Sequence, residues 1–172
     1  MTLPRADVGE RVETVLMDAD VAAGRIGPVS VLCISGTLTT DHVDRLHHAF
    51  DDHRALWKER YVSLTLLRPR APLPDDVVRK RIGEVFAGGR SASIACAVID
   101  ADGFWAAAAR GVFAGLALVS RRAPFPTRNL DEALRWAQQR MPPDSPDITA
   151  YAPAIAAFRD AQFALRHEHS RR

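Results

Sequence analysis

Residues 29–50, VSVLCISGTLTTDHVDRLHHAF, pass in one step from a strand pattern to a helix pattern, and that step decides the fold class. Residues 29–35 are nearly continuously apolar, as suits a strand covered on both faces. Thr39 or Thr40 is placed to cap the following helix, with Asp41 near the positive end of its dipole. Val43, Leu46, Phe50 and Trp57 then recur at helical spacing and mark its inner face.

The same alternation continues outward. Upstream, residues 11–23 partly alternate, with Val12, Thr14 and Leu16 against Glu13, Val15 and Met17, which predicts a half-buried edge strand. A turn over 24–28, punctuated by Gly27 and Pro28, joins it to the 29–35 run as an antiparallel hairpin. Downstream, 61–67 (YVSLTLL) is a strand, and 68–74 (RPRAPLP) is a loop because its three prolines lack the N–H donor. Asp75 or Asp76 opens a second helix with Val78, Ile82 and Val85 inward, ended by Gly88 and Gly89. A strand over 92–99 (ASIACAVI), a buried helix over 104–119 and a short edge strand over 126–129 follow. Asn129 and Glu132 have the spacing of a capping box for a helix reaching about residue 140.

Alternating buried strands and helices call for an α/β fold with a mixed, mostly parallel sheet and right-handed crossovers. Residues 1–140 are expected to form that domain and 141–153, with four prolines, a linker. Residues 154–172 are expected to form an amphipathic helix and polar tail, with Ile155, Phe158 and Leu165 on one stripe and Phe163 beside them.

Composition narrows the function classes. A formal charge of +2, spread along the chain, gives no basic stripe for nucleic acid. Arg5, Asp7, Glu10 and Arg11 precede any apolar run, so no secretory signal is read, and the expected location is cytoplasmic. The most apolar stretch, 104–120, is interrupted by Arg110 and is shorter than the roughly 20 residues of a membrane span. Cys33 and Cys96 lie inside apolar runs, where cysteine acts as a small buried hydrophobe.

The segment VLCISGTLTTDHVDRL, residues 31–46, resembles the second strand and first helix of STAS domains, the anti-sigma-factor antagonist family, with Gly36 and Leu38 matching their Gly-x-Leu. Residues 103–136 also resemble a group of STAS-like proteins common in myxobacteria, through Gly103-Phe104, Arg110, Pro126 and Glu132-Ala133 with Trp136. That second likeness transfers no activity. The first implies bacterial protein–protein signalling, but STAS antagonists carry a phosphorylatable Ser or Thr after the third strand, and residues 68–76 here contain no hydroxyl residue.

His42, His47, His48 and His53, with Asp44, Asp51 and Asp52, crowd one helix, yet they scatter around it and read as a solvated face, so no metal or cofactor is expected. Neither a Gly-x-Ser-x-Gly nor a Walker-type phosphate loop is present. Arg110 is expected to snorkel or to pair with Asp100 or Asp102. Arg68 and Arg70, on a proline-held loop after a strand, are candidates for an acidic partner or an anionic ligand. Ile155, Phe158, Phe163 and Leu165 are candidates for docking on another protein or on a second copy.

The expectation is a non-catalytic regulatory or scaffolding module without catalytic residues. Its alternative is a carrier of a small apolar or anionic, lipid- or nucleotide-like ligand. The carrier reading requires a deep pocket between the sheet and the 104–119 helix.

Overall fold

The computed structural model describes residues 11–87, 94–120 and 124–169. Six strands form one sheet: β1 (Glu13–Met17), β2 (Val21–Ile26), β3 (Val29–Ile34), β4 (Val62–Leu67), β5 (Ile94–Ile99) and β6 (Phe125–Thr127). They lie in sequence order; β1, β2 and β3 pair antiparallel, and β3 through β6 pair parallel. The crossovers carry α1 (Thr40–Trp57), α2 (Asp76–Ala87) and α3 (Gly103–Ser120), followed by α4 (Leu130–Gln138) and α5 (Ala152–His169). The fold is therefore α/β with a mixed sheet, an antiparallel N-terminal section and a C-terminal helix.

Strand order explains the layers. Parallel strands laid down consecutively, each reached by a right-handed crossover, put every crossover helix on the same face of the sheet. Residues of α1, α2 and α3 accordingly share one apolar cluster with Ile34, Leu67 and Ile99. The opposite face is covered by α4, α5 and the helical turn Ile148–Tyr151, whose residues cluster with Val31, Leu64 and Val98. No helix among the described residues is long and apolar enough to cross a membrane.

The N-terminal section differs from the single hairpin expected from 11–35. The stretch expected as one strand and a turn holds two strands, because the Asp18 carboxylate accepts the N–H groups of Asp20 and Val21, each at 2.8 Å, and closes a tight turn there. The turn over 24–28 shrinks to Gly27 and Pro28. Gly27 has φ +50°, and a Cβ at that position would run into the Tyr151 ring.

Helix α1 starts as expected, with Thr39 as its cap accepting from the His42 N–H. Asn129 caps α4 through the N–H groups of Asp131 and Glu132, but Glu132 turns away to bond Thr127, so the reciprocal capping-box contact is absent. The 104–119 run is not buried all round: Phe104 is 91% exposed and Arg110 is exposed, while Ala106 and Ala109 are buried. Asp102 pairs with Arg128. The expected helix stop at Gly88 and Gly89 lies outside the described residues.

The segment expected as a linker is packed instead. Met141, Ile148 and Tyr151 are buried in the same cluster as the sheet, with the Ile148 N–H donating to the Gln138 side chain at 2.8 Å. Beyond it, Ile155 and Phe158 are buried against β2 and β3, and the fully buried Gln162 donates to the Ala19 carbonyl and to Ser35 Oγ. The C-terminal helix thus covers its own sheet. The Asp20 carboxylate accepts from the Thr37 N–H and from Arg166, and a Cβ at Gly36 would collide with it.

Removing residues 142–172 uncovers the apolar face formed by Val31, Leu64 and Val98. The shortened chain is expected to lose its cooperative urea transition, as read by circular dichroism. A sharp transition retained at the full-length midpoint would contradict this packing.

A candidate ligand cavity between the sheet and the crossover helices

The two faces of the central strands carry side chains of different size. Toward α4 and α5 the paired rows are Val29, Val62 and Ile94; Val31, Leu64 and Cys96; and Cys33, Leu66 and Val98. Toward α1, α2 and α3 they are Ser30, Ser63 and Ala95; Leu32, Thr65 and Ala97; and Ile34, Leu67 and Ile99. This second face is large and apolar across all three strands only at their carboxyl ends, with Leu32 the one large side chain in the middle row. At the amino ends its side chains are too short to reach the helices above.

A cavity of about 190 Å³, partly open to solvent, occupies that space. This exceeds the roughly 150 Å³ of an engineered apolar cavity that admits benzene. Its floor includes Leu32, Ser63, Thr65 and Ala95, all partly accessible although they lie in the middle of a helix-covered sheet. Phe50 of α1, Ile82 and Val85 of α2, and Val112 and Phe113 of α3 form the roof. Pro72, Leu73 and Pro74 close one side, held by the Trp105 indole N–H donating to the Ala71 carbonyl at 2.9 Å.

Polar groups gather toward the other end. Arg54, 9% exposed, lines the cavity with Tyr61 and His47. One guanidinium nitrogen of Arg54 meets Asp51 at 3.0 Å, on the solvent side, and the guanidinium sits 6.0 Å from the centre of the Tyr61 ring. Arg54 Nε and His47 Nδ1 are buried without a hydrogen-bond partner. An unmet buried donor costs about 1–3 kcal/mol, more when charged, unless something else satisfies it.

Beneath this end, His53 points away from the cavity. Its Nε2 meets the Gly27 carbonyl at 2.8 Å and its Nδ1 meets Ser30 Oγ at 2.8 Å. A carbonyl can only accept, so Nε2 carries the proton and Nδ1 of the neutral ring accepts from the Ser30 hydroxyl. Burial lowers the His53 pKa, against the Gly27 bond that raises it. Burial raises that of Tyr61, which also bonds Ser30. The network fixes Tyr61 at the amino end of β4.

The other predicted groups lie elsewhere. Arg68 is half-buried with its guanidinium 5.7 Å from the Phe163 ring centre, and Arg70 is exposed at φ +65°, so the two do not make one bidentate site. Ile155 and Phe158 are consumed in the core, whereas Phe163 is half-buried and Leu165 exposed. His42 is used locally: its Nδ1 accepts from the Thr39 N–H and its Nε2 faces Asp18 at 3.2 Å. His48 is exposed, and no group of three or more metal-ligating side chains is found among the described residues. Burial pushes both thiols up to about 12, so at neutral pH they are protonated and poor nucleophiles. Strand β4 separates Cys33 from Cys96, two strand spacings or about 10 Å, beyond the reach of a disulfide.

The sequence expectation of strands at 61–67 and 92–99 does not separate their two faces, and the carrier alternative requires a pocket beside the 104–119 helix without naming the strand residues that line it. The signal was present as a period-two pattern of small or hydroxylated residues, Ser63 and Thr65 in one strand and Ala95 and Ala97 in the next.

The His53 shift makes a pH prediction. With its folded pKa below the unfolded value near 6.5, the contribution is complete above that pH and is lost progressively as pH falls toward the folded value. The urea midpoint should drop between about pH 7.5 and 5.5, and His53→Gln should flatten the drop. His53→Leu, which strands Ser30 and the Gly27 carbonyl, should cost about 1–3 kcal/mol at neutral pH. A midpoint higher at the lower pH would contradict the neutral-ring assignment.

No family model matches the chain, and neither a curated protein nor a solved structure is found to be similar to it.

Proposed function

We propose that this chain is a non-catalytic binding module whose ligand is a small, largely apolar molecule held between the sheet and helices α1 to α3. The observation that supports the reading is the cavity itself, which lies beneath all three crossover helices and has a predominantly apolar lining. Binding sites for small molecules are typically preformed apolar hollows with a few placed polar groups, and this one has both parts. Structural economy argues the same way. Interiors normally pack to the density of organic crystals, and a void of this size is a stability cost that bigger side chains at Thr65 or Ala95 would remove.

The physical sense of such a carrier is simple. Water in an apolar hollow makes few hydrogen bonds, and a molecule of matching shape displaces it and regains dispersion contacts with Phe50, Val85 and Phe113. The helix layer is the side that can admit it, since the opposite face is tied down by α5 through Gln162 and Arg166.

Octanol titrated into the full chain in a calorimeter is expected to saturate at one molecule per chain. The double variant Thr65→Leu with Ala95→Leu should abolish that heat while raising stability by about 1 kcal/mol, as cavity filling does. Absence of binding to the native chain, or undiminished binding to the filled variant, would overturn the proposal.

A further inference from the structure

We infer that the ligand carries a single carboxylate, bound by Arg54 at the polar end of the cavity, with its apolar body extending toward Leu67 and Leu73. This rests on the ligand-carrier reading and specifies the chemical class of what is carried.

Arg54 lies on the inner face of α1, eleven residues beyond Val43 and eight beyond Leu46, so helical spacing turns all three toward the sheet. A buried arginine is expensive unless its charge and its N–H donors are met. Asp51 meets one terminal nitrogen, but that carboxylate is itself largely exposed, so water screens it. Nε is buried and has no acceptor. The guanidinium therefore has one terminal nitrogen paired with Asp51 and a buried Nε without an acceptor, on a residue that lines the cavity.

The surroundings select the head group. Asp51 pairs with Arg54 and is largely exposed, and among the described residues the cavity wall contains no aspartate or glutamate. The hydroxyl-bearing residues Ser63 and Thr65 line the floor and Tyr61 stands beside the guanidinium. One guanidinium supplies one positive charge and a planar array of donors, which matches a carboxylate in charge and in shape. A phosphate monoester would bring about two negative charges to the single guanidinium, leaving only neutral donors such as Ser63 and Thr65 and the His47 ring for the second, a poorer match than a carboxylate. A neutral alcohol would satisfy a hydrogen bond but bring no counter-charge to the guanidinium.

The cavity also sets an order along the ligand. From Arg54 and Ser63 the lining becomes apolar through Phe50 and Leu32 to Leu67 and Leu73, so a molecule with its acid at one end lies lengthwise. An aliphatic or arylalkanoic acid of modest length has this form.

The test compares octanoate, octanol and octyl phosphate on the full chain by calorimetry at neutral pH. Octanoate should bind about tenfold or more tightly than octanol, a gap of about 1.4 kcal/mol, and also more tightly than octyl phosphate. Arg54→Met should erase the preference for octanoate while leaving octanol affinity within about threefold. As a readout on the native chain, octanoate labelled with carbon-13 at its carboxyl should keep an ionised carboxyl resonance in the complex at pH values where the free acid is already protonated. Equal affinity for octanoate and octanol, a carboxyl that protonates more readily when bound than when free, or a preference unaffected in Arg54→Met would overturn the carboxylate assignment and leave the carrier reading standing. Failure of both octanol and octanoate to bind would overturn the carrier reading and this inference with it.

Discussion

The structure depends on an inequality between the two faces of one sheet. Toward α4 and α5, every position of the central strands β3, β4 and β5 bears a large apolar side chain or a cysteine, and these fill the space beneath the helices. Toward the crossover helices, Ser30, Ser63, Thr65, Ala95 and Ala97 occupy the amino-terminal and middle rows. Helix-to-sheet distance is set where the layers touch, at Ile34, Leu67 and Ile99 and at the helical residues above them. Short side chains elsewhere in the same sheet cannot draw the helices closer, so a hollow follows from the sequence of two strands.

Each layer then has a distinct mechanical role. The α5 side is fastened by Ile155 and Phe158 in the core, by the fully buried Gln162, and by the Arg166 contact to Asp20. The Asp18 turn and its contact to His42 join that fastening to the start of α1. At the other end of α1, His53 anchors the helix to the β2–β3 turn through Gly27 and Ser30. Helix α1 is thus fixed at His42 and His53; His47 and Phe50 between them, and Arg54 next to the second anchor, line the cavity.

Much of this was legible in the amino-acid sequence. The strand runs around 29–35 and 61–67, the Thr39 cap and the proline-bearing loop 68–74 all announce themselves locally, because propensity and capping are local properties. The Asp18 turn was hidden, since a side chain accepting two backbone N–H groups looks the same in sequence as any surface aspartate. The prolines of 141–153 suggested a linker, but Met141, Ile148 and Tyr151 fill a gap in the core that only the assembled sheet creates. Arg54 is indistinguishable in sequence from the charged and polar helical residues around it. Its role depends on α1 lying over Ser63 and Tyr61, a contact across the β3–β4 crossover that no local pattern encodes.

The proposed ligand binding depends on the cavity being present in the folded protein. Diffraction from crystals held under xenon pressure tests it most directly, because xenon enters dry apolar hollows and scatters strongly. Xenon is expected between β4 and the roof formed by Phe50, Val85 and Phe113, with the helix layer unmoved. A structure in which those side chains instead close on Thr65 and Ala95, leaving no xenon and no space for it, would contradict the hollow face and the ligand that is argued to fill it.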